Sequence, residues 1–151
     1  MMRSHRRPTG RSVARVTLDD DVRVFLDAPR SADLATLNPD GSPQLSVIWY
    51  ERRGDEVVVN TTVQRVKAHN MDRDPRVSLL VGDPERYVRL DGDARVVATG
   101  ADALADIRAL AVRYNGEDAA ARQARDVWST QQRVTYAIAI RRVYRYGFEE
   151  R

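Results

Sequence analysis

The connections between the β-patterned stretches of this chain are too short for the strands to lie parallel. Leu34-Ala35-Thr36-Leu37 reads as a strand, and residues 44–51 read as another; between them stands Asn38-Pro39-Asp40-Gly41, a run of turn formers. Arg53-Gly54-Asp55 then separates residues 44–51 from a third run, residues 56–61. A parallel pair needs a crossover of about a dozen residues or more, so this part of the chain is an antiparallel meander. Further on, residues 76–81 and 86–98 read as strands, the second bent at Gly92, and residues 134–140 and 143–147 as the closing ones.

Helical segments punctuate these runs. Thr17 is placed to cap a short helix with Asp19, Asp20 and Asp21 in its first turn, where carboxylates suit the helix dipole better than they suit a metal. Val22, Phe25 and Leu26 share one face of it, and Pro29 stops it. A second helix spans residues 63–73 and ends before Pro75. Leu104, Ile107, Leu110, Ala111 and Tyr114 fall at helical spacing in residues 100–114, with Asn115-Gly116 as the stop. Residues 117–128 form a weaker helix. About six antiparallel strands with helices on one side make a small β-barrel of the α+β class.

Length and composition bound the chemistry. With 151 residues the chain is sized for one domain, read here as a basic arm over residues 1–16 and a single domain over residues 17–151. Cysteine is absent, which removes disulfides, thiolate metal sites and cysteine nucleophiles. Two histidines, His5 and His69, are too few for a multi-histidine metal site, so no metal is expected. The amino-terminal arginines lack the apolar stretch of a secretory signal, and no apolar run approaches a membrane span; a cytoplasmic location is expected. Net charge is only +3, and no helix carries a one-sided cationic stripe with interleaved aromatics, so neither nucleic acid nor membrane is the expected partner.

Of the 25 basic side chains, Lys67 is the one lysine. It sits in Asn60-Thr61-Thr62-Val63-Gln64-Arg65-Val66-Lys67-Ala68-His69-Asn70, where a strand ending in two hydroxyl residues feeds a helix. Helix-terminal amides, threonine hydroxyls, a guanidinium and an ammonium together make a site for an anion such as a phosphate. The same pattern also describes a surface helix capped by Thr62 with solvated Arg65 and Lys67. Trp49 and Tyr50 alternate on a strand, one of them facing the core or an interface, and Tyr114 and Trp128 lie on helical apolar stripes as packing residues.

Three segments carry a family resemblance: Gly41-Ser42-Pro43-Gln44-Leu45-Ser46, Arg65-Val66-Lys67, and Asn70-Met71-Asp72-Arg73-Asp74-Pro75-Arg76-Val77-Ser78-Leu79. Together they resemble the pyridoxamine 5′-phosphate oxidase-like split-barrel superfamily, and within it the branch that binds the deazaflavin coenzyme F420. The resemblance runs over residues 22–147 and implies a six-stranded antiparallel split β-barrel with flanking helices. It also implies a homodimer with two clefts between the subunits, and hydride transfer between the coenzyme and a small unsaturated or quinone-like molecule. On that resemblance Arg65 and Lys67 hold the phosphate, with Asn70 behind them. Asn60, Thr61 and Thr62 lie along the ring and ribityl chain, and Gln44, Ser46 and Val47 face the ring. Tyr87 and Arg133 approach the coenzyme from the partner subunit. No catalytic residue is singled out. FMN is the alternative cofactor, and a non-catalytic F420 carrier the alternative role. Two features depart from the pattern. Residues 83–86 form a short loop with Glu85-Arg86 where an aromatic often precedes Tyr87, and the arginine-rich carboxy-terminal substrate motif of pyridoxamine phosphate oxidases is missing, so vitamin B6 oxidation is not expected.

Overall fold

The structure, a computed structural model, describes residues 15–149, so the arm lies outside the described residues apart from Arg15 and Val16. Val16 is already held, its N–H donating to the Ile140 carbonyl at 3.1 Å. Helix α1 spans Asp20–Asp27, with strands β1 (Ala32–Leu37), β2 (Pro43–Ile48), β3 (Glu51–Arg53) and β4 (Glu56–Thr62) after it. Helix α2 (Val66–Arg73) precedes β5 (Arg76–Gly82) and β6 (Tyr87–Thr99). Helices α3 (Gly100–Asn115) and α4 (Glu117–Asp126) and a 3₁₀ turn at Trp128–Thr130 lead into β7 (Arg133–Tyr146). All strand pairs are antiparallel, in one seven-stranded sheet of order β2-β1-β5-β6-β7-β4-β3.

Seven strands replace the expected six. The run expected over residues 44–51 breaks at Trp49-Tyr50, because Tyr50 turns fully into the core and its hydroxyl donates to the Leu26 carbonyl at 2.9 Å. Burial pushes that phenol up to about 12. Beyond the break the chain pairs with β4 through a two-residue turn at Gly54-Asp55, where Gly54 takes φ +62°. At the other end, the two runs expected over residues 134–147 are one strand, with a register shift opposite Asp91/Gly92. Helix starts also move. α1 begins at Asp20 rather than after a Thr17 cap, because Leu18 is buried and its N–H is taken by Asp55 Oδ1 at 3.1 Å. α2 begins at Val66, flanked by Arg65 rather than capped by Thr62, and α4 stops at Asp126.

Two apolar clusters explain the burial patterns. In the first, Val22, Phe25 and Leu26 of α1 and Ala68 and Met71 of α2 fill the inner face of the sheet against Leu34, Val57, Val59, Leu79, Leu90, Tyr136 and Ile138. The second gathers Ile107, Leu110, Ala111, Ala120 and Trp128 from α3, α4 and the 3₁₀ turn. Helices therefore cover both faces of the β4–β7 pair, not one side of the barrel. Val58 and Ala137 are buried beside Val57, Val59 and Tyr136, and both strands lose the alternation that a half-exposed strand shows.

The bend sits at Gly92. A β-carbon there would lie 2.3 Å from the Ala139 carbonyl oxygen and 2.9 Å from Ile138 Cγ2, so the two long strands approach too closely for any side chain. Gly92→Ala is predicted to lower the unfolding free energy by roughly 1–3 kcal/mol, the range for overpacking a tight contact. Urea unfolding followed by circular dichroism measures it, and an unchanged midpoint would mean that the strands can part at no cost.

Candidate functional site

Strand β2 is one edge of the sheet and β4 lies next to the other edge, yet both line one cleft. The sheet therefore curls until its ends face each other across a gap. Lys67, on α2, spans that gap: its Nζ donates to Ser46 Oγ of β2 at 3.2 Å. The cleft encloses about 590 Å³ and is lined by Ser46–Trp49 of β2 and its exit, Asn60–Thr62 of β4, and Arg65 and Lys67. Ile107, Leu110, Gln123 and Trp128 from the α3–α4 side, with Ser31, Gln131 and Arg133, complete it.

Its charge is one-sided. Among the described residues Arg65, Lys67 and Arg133 line it and no carboxylate does. Among the described residues none of the three is in an ion pair. Burial first, then the charges of Arg65 and Arg133, hold the Lys67 ammonium below the usual lysine range. Burial, then Arg65, brings the Arg133 guanidinium down to about 10. The first turn of α2 carries no acid either, so nothing on the helix competes for its amides. Ile48, Trp49, Ile107, Leu110 and Trp128 give the cleft an apolar wall, and the Arg133 guanidinium lies over the Trp128 ring, 6.0 Å from its centroid. Trp49 is fixed by parallel stacking on Tyr114, 5.2 Å between centroids, and Tyr114 is anchored by its hydroxyl donating to the Arg30 carbonyl at 2.6 Å. In that setting the buried Oε1 of Gln123 has no hydrogen-bond partner among the described residues.

The structure brings together Ser46, Val47, Asn60, Thr61, Thr62, Arg65, Lys67 and Arg133 and leaves Gln44, Asn70 and Tyr87 outside the cleft. Gln44 accepts from Thr36 Oγ1 at 3.2 Å. Asn70 is buried and donates to Thr36 Oγ1 and to Asn38 Oδ1, each at 3.0 Å, so it pins α2 to β1 and its turn. Tyr87 lies against Tyr146, at the opposite end of β7 from Arg133. Arg133 lines the cleft of its own chain, where its Nε donates to Asn60 Oδ1 at 2.6 Å and its Nη1 to Gln131 Oε1 at 2.6 Å. Asn60 lines the cleft with its amide already spent: Nδ2 donates to the Ala103 carbonyl and to Thr135 Oγ1, both at 2.9 Å. Sequence reasoning assigned Trp128 to packing alone and left the face of Trp49 open, and it missed Ile107, Leu110, Gln123 and Gln131. Ile107 and Leu110 fall on an ordinary apolar stripe and the two glutamines carry no local signal; only the fold of α3 and α4 over β4 and β7 puts them in the cleft. His69 is exposed and outside it. Among the described residues no group of three or more His, Asp or Glu side chains could hold a metal, and no helix is long and apolar enough to cross a membrane.

Comparison with known proteins places these features. The pyridoxamine 5′-phosphate oxidase family model matches residues 18–145. A conserved hypothetical protein from Mycobacterium tuberculosis superposes with a TM-score of 0.71 at 28% identity, over 95% of this chain and 96% of that one. A solved F420 reductase matches at 26% identity and a TM-score of 0.64, over 81% of this chain and 94% of that one. A heme binding protein from Mycobacterium smegmatis shares the fold at 24% identity and a TM-score of 0.64, over 87% of this chain and 55% of that one.

The unpaired cations give a test that needs no ligand. A lysine whose folded-state value is depressed binds its proton less tightly folded than unfolded, so its charge destabilises the fold at neutral pH. That penalty fades as pH rises from the depressed folded value through the ordinary lysine value. Lys67→Met is therefore predicted to stabilise the ligand-free protein by about 0.5–1 kcal/mol at pH 7, a gain that shrinks at alkaline pH. Thermal unfolding of both proteins across pH 7–10.5 checks it; a variant less stable than the parent would show that Lys67 is already compensated.

Proposed function

The chain belongs to the pyridoxamine 5′-phosphate oxidase family, and from that premise we propose that it is a coenzyme F420-dependent oxidoreductase acting on a small unsaturated or quinone-like molecule. One observation carries the reading: three cations, with no counter-charge among the described residues, share a single cleft with an aromatic and apolar wall. That pairing fits a ligand with an anionic group at one end and a planar ring at the other. Lys67, Arg65 and the free donors of Arg133 would hold the phosphodiester, and Thr61 and Thr62 add hydroxyls beside it. Trp49, Trp128, Ile107 and Leu110 would bracket the ring, and Gln123 Oε1 offers an acceptor to an N–H on its pyrimidine edge. The likeness to an F420 reductase supports this choice over FMN.

The bound coenzyme would supply the hydride chemistry. The chain's own contribution is to bind, orient and exclude water. Among the described residues lining the cleft there is no carboxyl, imidazole, thiol or phenol, which leaves Lys67, solvent or a second subunit as sources of a proton.

The second subunit enters through the outer face of β1, β2 and β5. Leu45 and Val47 are each 69% exposed and Leu80 40%, around a largely apolar groove that shares Ser46 and Val47 with the cleft. A second copy covering this face would close the cleft beside the ring, with the half-buried Tyr87 reaching across from it. Leu45→Glu with Leu80→Glu is predicted to convert a dimer to a monomer in sedimentation velocity; a monomeric parent, or a dimer that survives both charges, removes this face from the account.

Titration of the purified protein with coenzyme F420 and with FMN, followed by fluorescence, tests the function. F420 is predicted to bind more tightly, with affinity falling as salt rises. Lys67→Ala should weaken it by about 1.5–3 kcal/mol, the range for a hydrogen bond to a charged group. Preference for FMN would reassign the cofactor, and tight F420 binding without hydride transfer to any quinone would make the protein a carrier.

A further inference from the structure

We propose that Asp106, Thr135 and Asn60 are positioning residues for Arg133: a one-way chain of hydrogen bonds, starting at the Asp106 carboxylate on α3, fixes the guanidinium that meets the anionic end of the ligand. The ligand's identity rests on the reading above, whereas the chain itself serves any anionic oxygen in the cleft.

Each link dictates the direction of the next. A carboxylate only accepts, so the Thr135 hydroxyl spends its one hydrogen on Asp106 Oδ2, at 2.7 Å. Thr135 Oγ1 is then an acceptor, and the group facing it at 2.9 Å must be the amide nitrogen of Asn60. The Ala103 carbonyl takes the second amide hydrogen at 2.9 Å, which fixes the same orientation independently. Asn60 Oδ1 is thereby turned to Arg133 and accepts from Nε at 2.6 Å. Gln131 Oε1 receives one Nη1 hydrogen at 2.6 Å. Of the five guanidinium hydrogens, the three not used in these bonds remain for a ligand.

Register makes the chain rigid. Asn60 and Thr135 are direct cross-strand partners in the β4–β7 pair, and Arg133 pairs with Thr62 two positions along. Thr135 is fully buried and Asn60 nearly so, so neither amide nor hydroxyl can exchange its partner for bulk water cheaply. Asp106 itself is steadied from outside by Arg53 Nη2 at 3.0 Å. An arginine that would otherwise sample many rotamers is therefore held before the ligand arrives.

A purely structural role, tying α3 to the sheet, would move stability alone, so two other readouts decide. In the ligand-free protein the arginine Nε–H resonance of Arg133, identified by its loss in Arg133→Lys, should exchange slowly with water. It should exchange about three- to tenfold faster in Thr135→Val and Asp106→Asn. Dissociation constants for inorganic pyrophosphate and for coenzyme F420 give the second readout. Thr135→Val should weaken both about three- to tenfold in the parent and neither in the Arg133→Lys background. Thr135→Ser, which keeps the hydroxyl, should behave as the parent, and with Asp106→Asn it carries the comparison if Thr135→Val does not fold. Unchanged exchange, or losses that add across the two backgrounds, overturn the proposal. Pyrophosphate binding that follows this pattern while F420 does not bind would uphold the chain and overturn the coenzyme assignment.

Discussion

Three positive charges held together without a negative one are the constraint around which the rest of this molecule is arranged. Arg65, Lys67 and Arg133 repel each other, and burial of Lys67 and Arg133 removes part of the water that would soften the repulsion. Some arginines elsewhere have a carboxylate partner, as Arg52 has Asp27 and Arg95 has Glu56. What sets these three apart is that they share one cleft, two of them half-buried, a local instability that a bound anion would relieve. This is the usual relation between a binding site and the stability of its scaffold.

The architecture explains how such a cluster persists. Charge on a flexible loop would simply move apart; here two cations sit at the start of α2 and the third at the start of β7. Arg65 flanks the start of α2, Lys67 is bonded across the gap to β2, and Arg133 opens β7 with its guanidinium held by Asn60 of β4. α2 in turn is pinned by Asn70 to β1 and by the Tyr136 hydroxyl, which donates to Asp72 at 2.6 Å. The close crossing of β6 and β7 at Gly92 lies where those two long strands change register. Curvature, helix placement and charge are thus one problem, and the cleft is where the curled ends fail to meet.

Much of this was legible in the sequence, and the illegible parts share a cause. Short turns at residues 38–41 and 53–55 set two antiparallel hairpins, β1–β2 and β3–β4, although the break between them sends β2 and β3 to opposite edges of the sheet rather than into one meander. The stretch from Asn60 to Lys67 supplies several residues of the cleft. The break at Trp49-Tyr50 was not legible, since it comes from Tyr50 being drawn to a carbonyl on α1 far away in sequence. The same holds for the second wall of the cleft: Ile107, Leu110, Gln123 and Trp128 look like packing residues until α3 and α4 fold over β4 and β7. Asn60 lines the cleft with its side chain bonded to Arg133, whereas Asn70 lies outside it and clamps α2. Motifs mark which positions matter, whereas hydrogen-bond partners decide what those positions do.

The most direct test is a crystal structure of the protein with oxidised coenzyme F420. The account predicts phosphodiester oxygens within hydrogen-bond reach of Lys67 Nζ and the unspent nitrogens of Arg133, with the ring lying along Trp49 and Trp128. A coenzyme bound anywhere else, or a cleft whose three cations turn to neighbouring carboxylates, would contradict it.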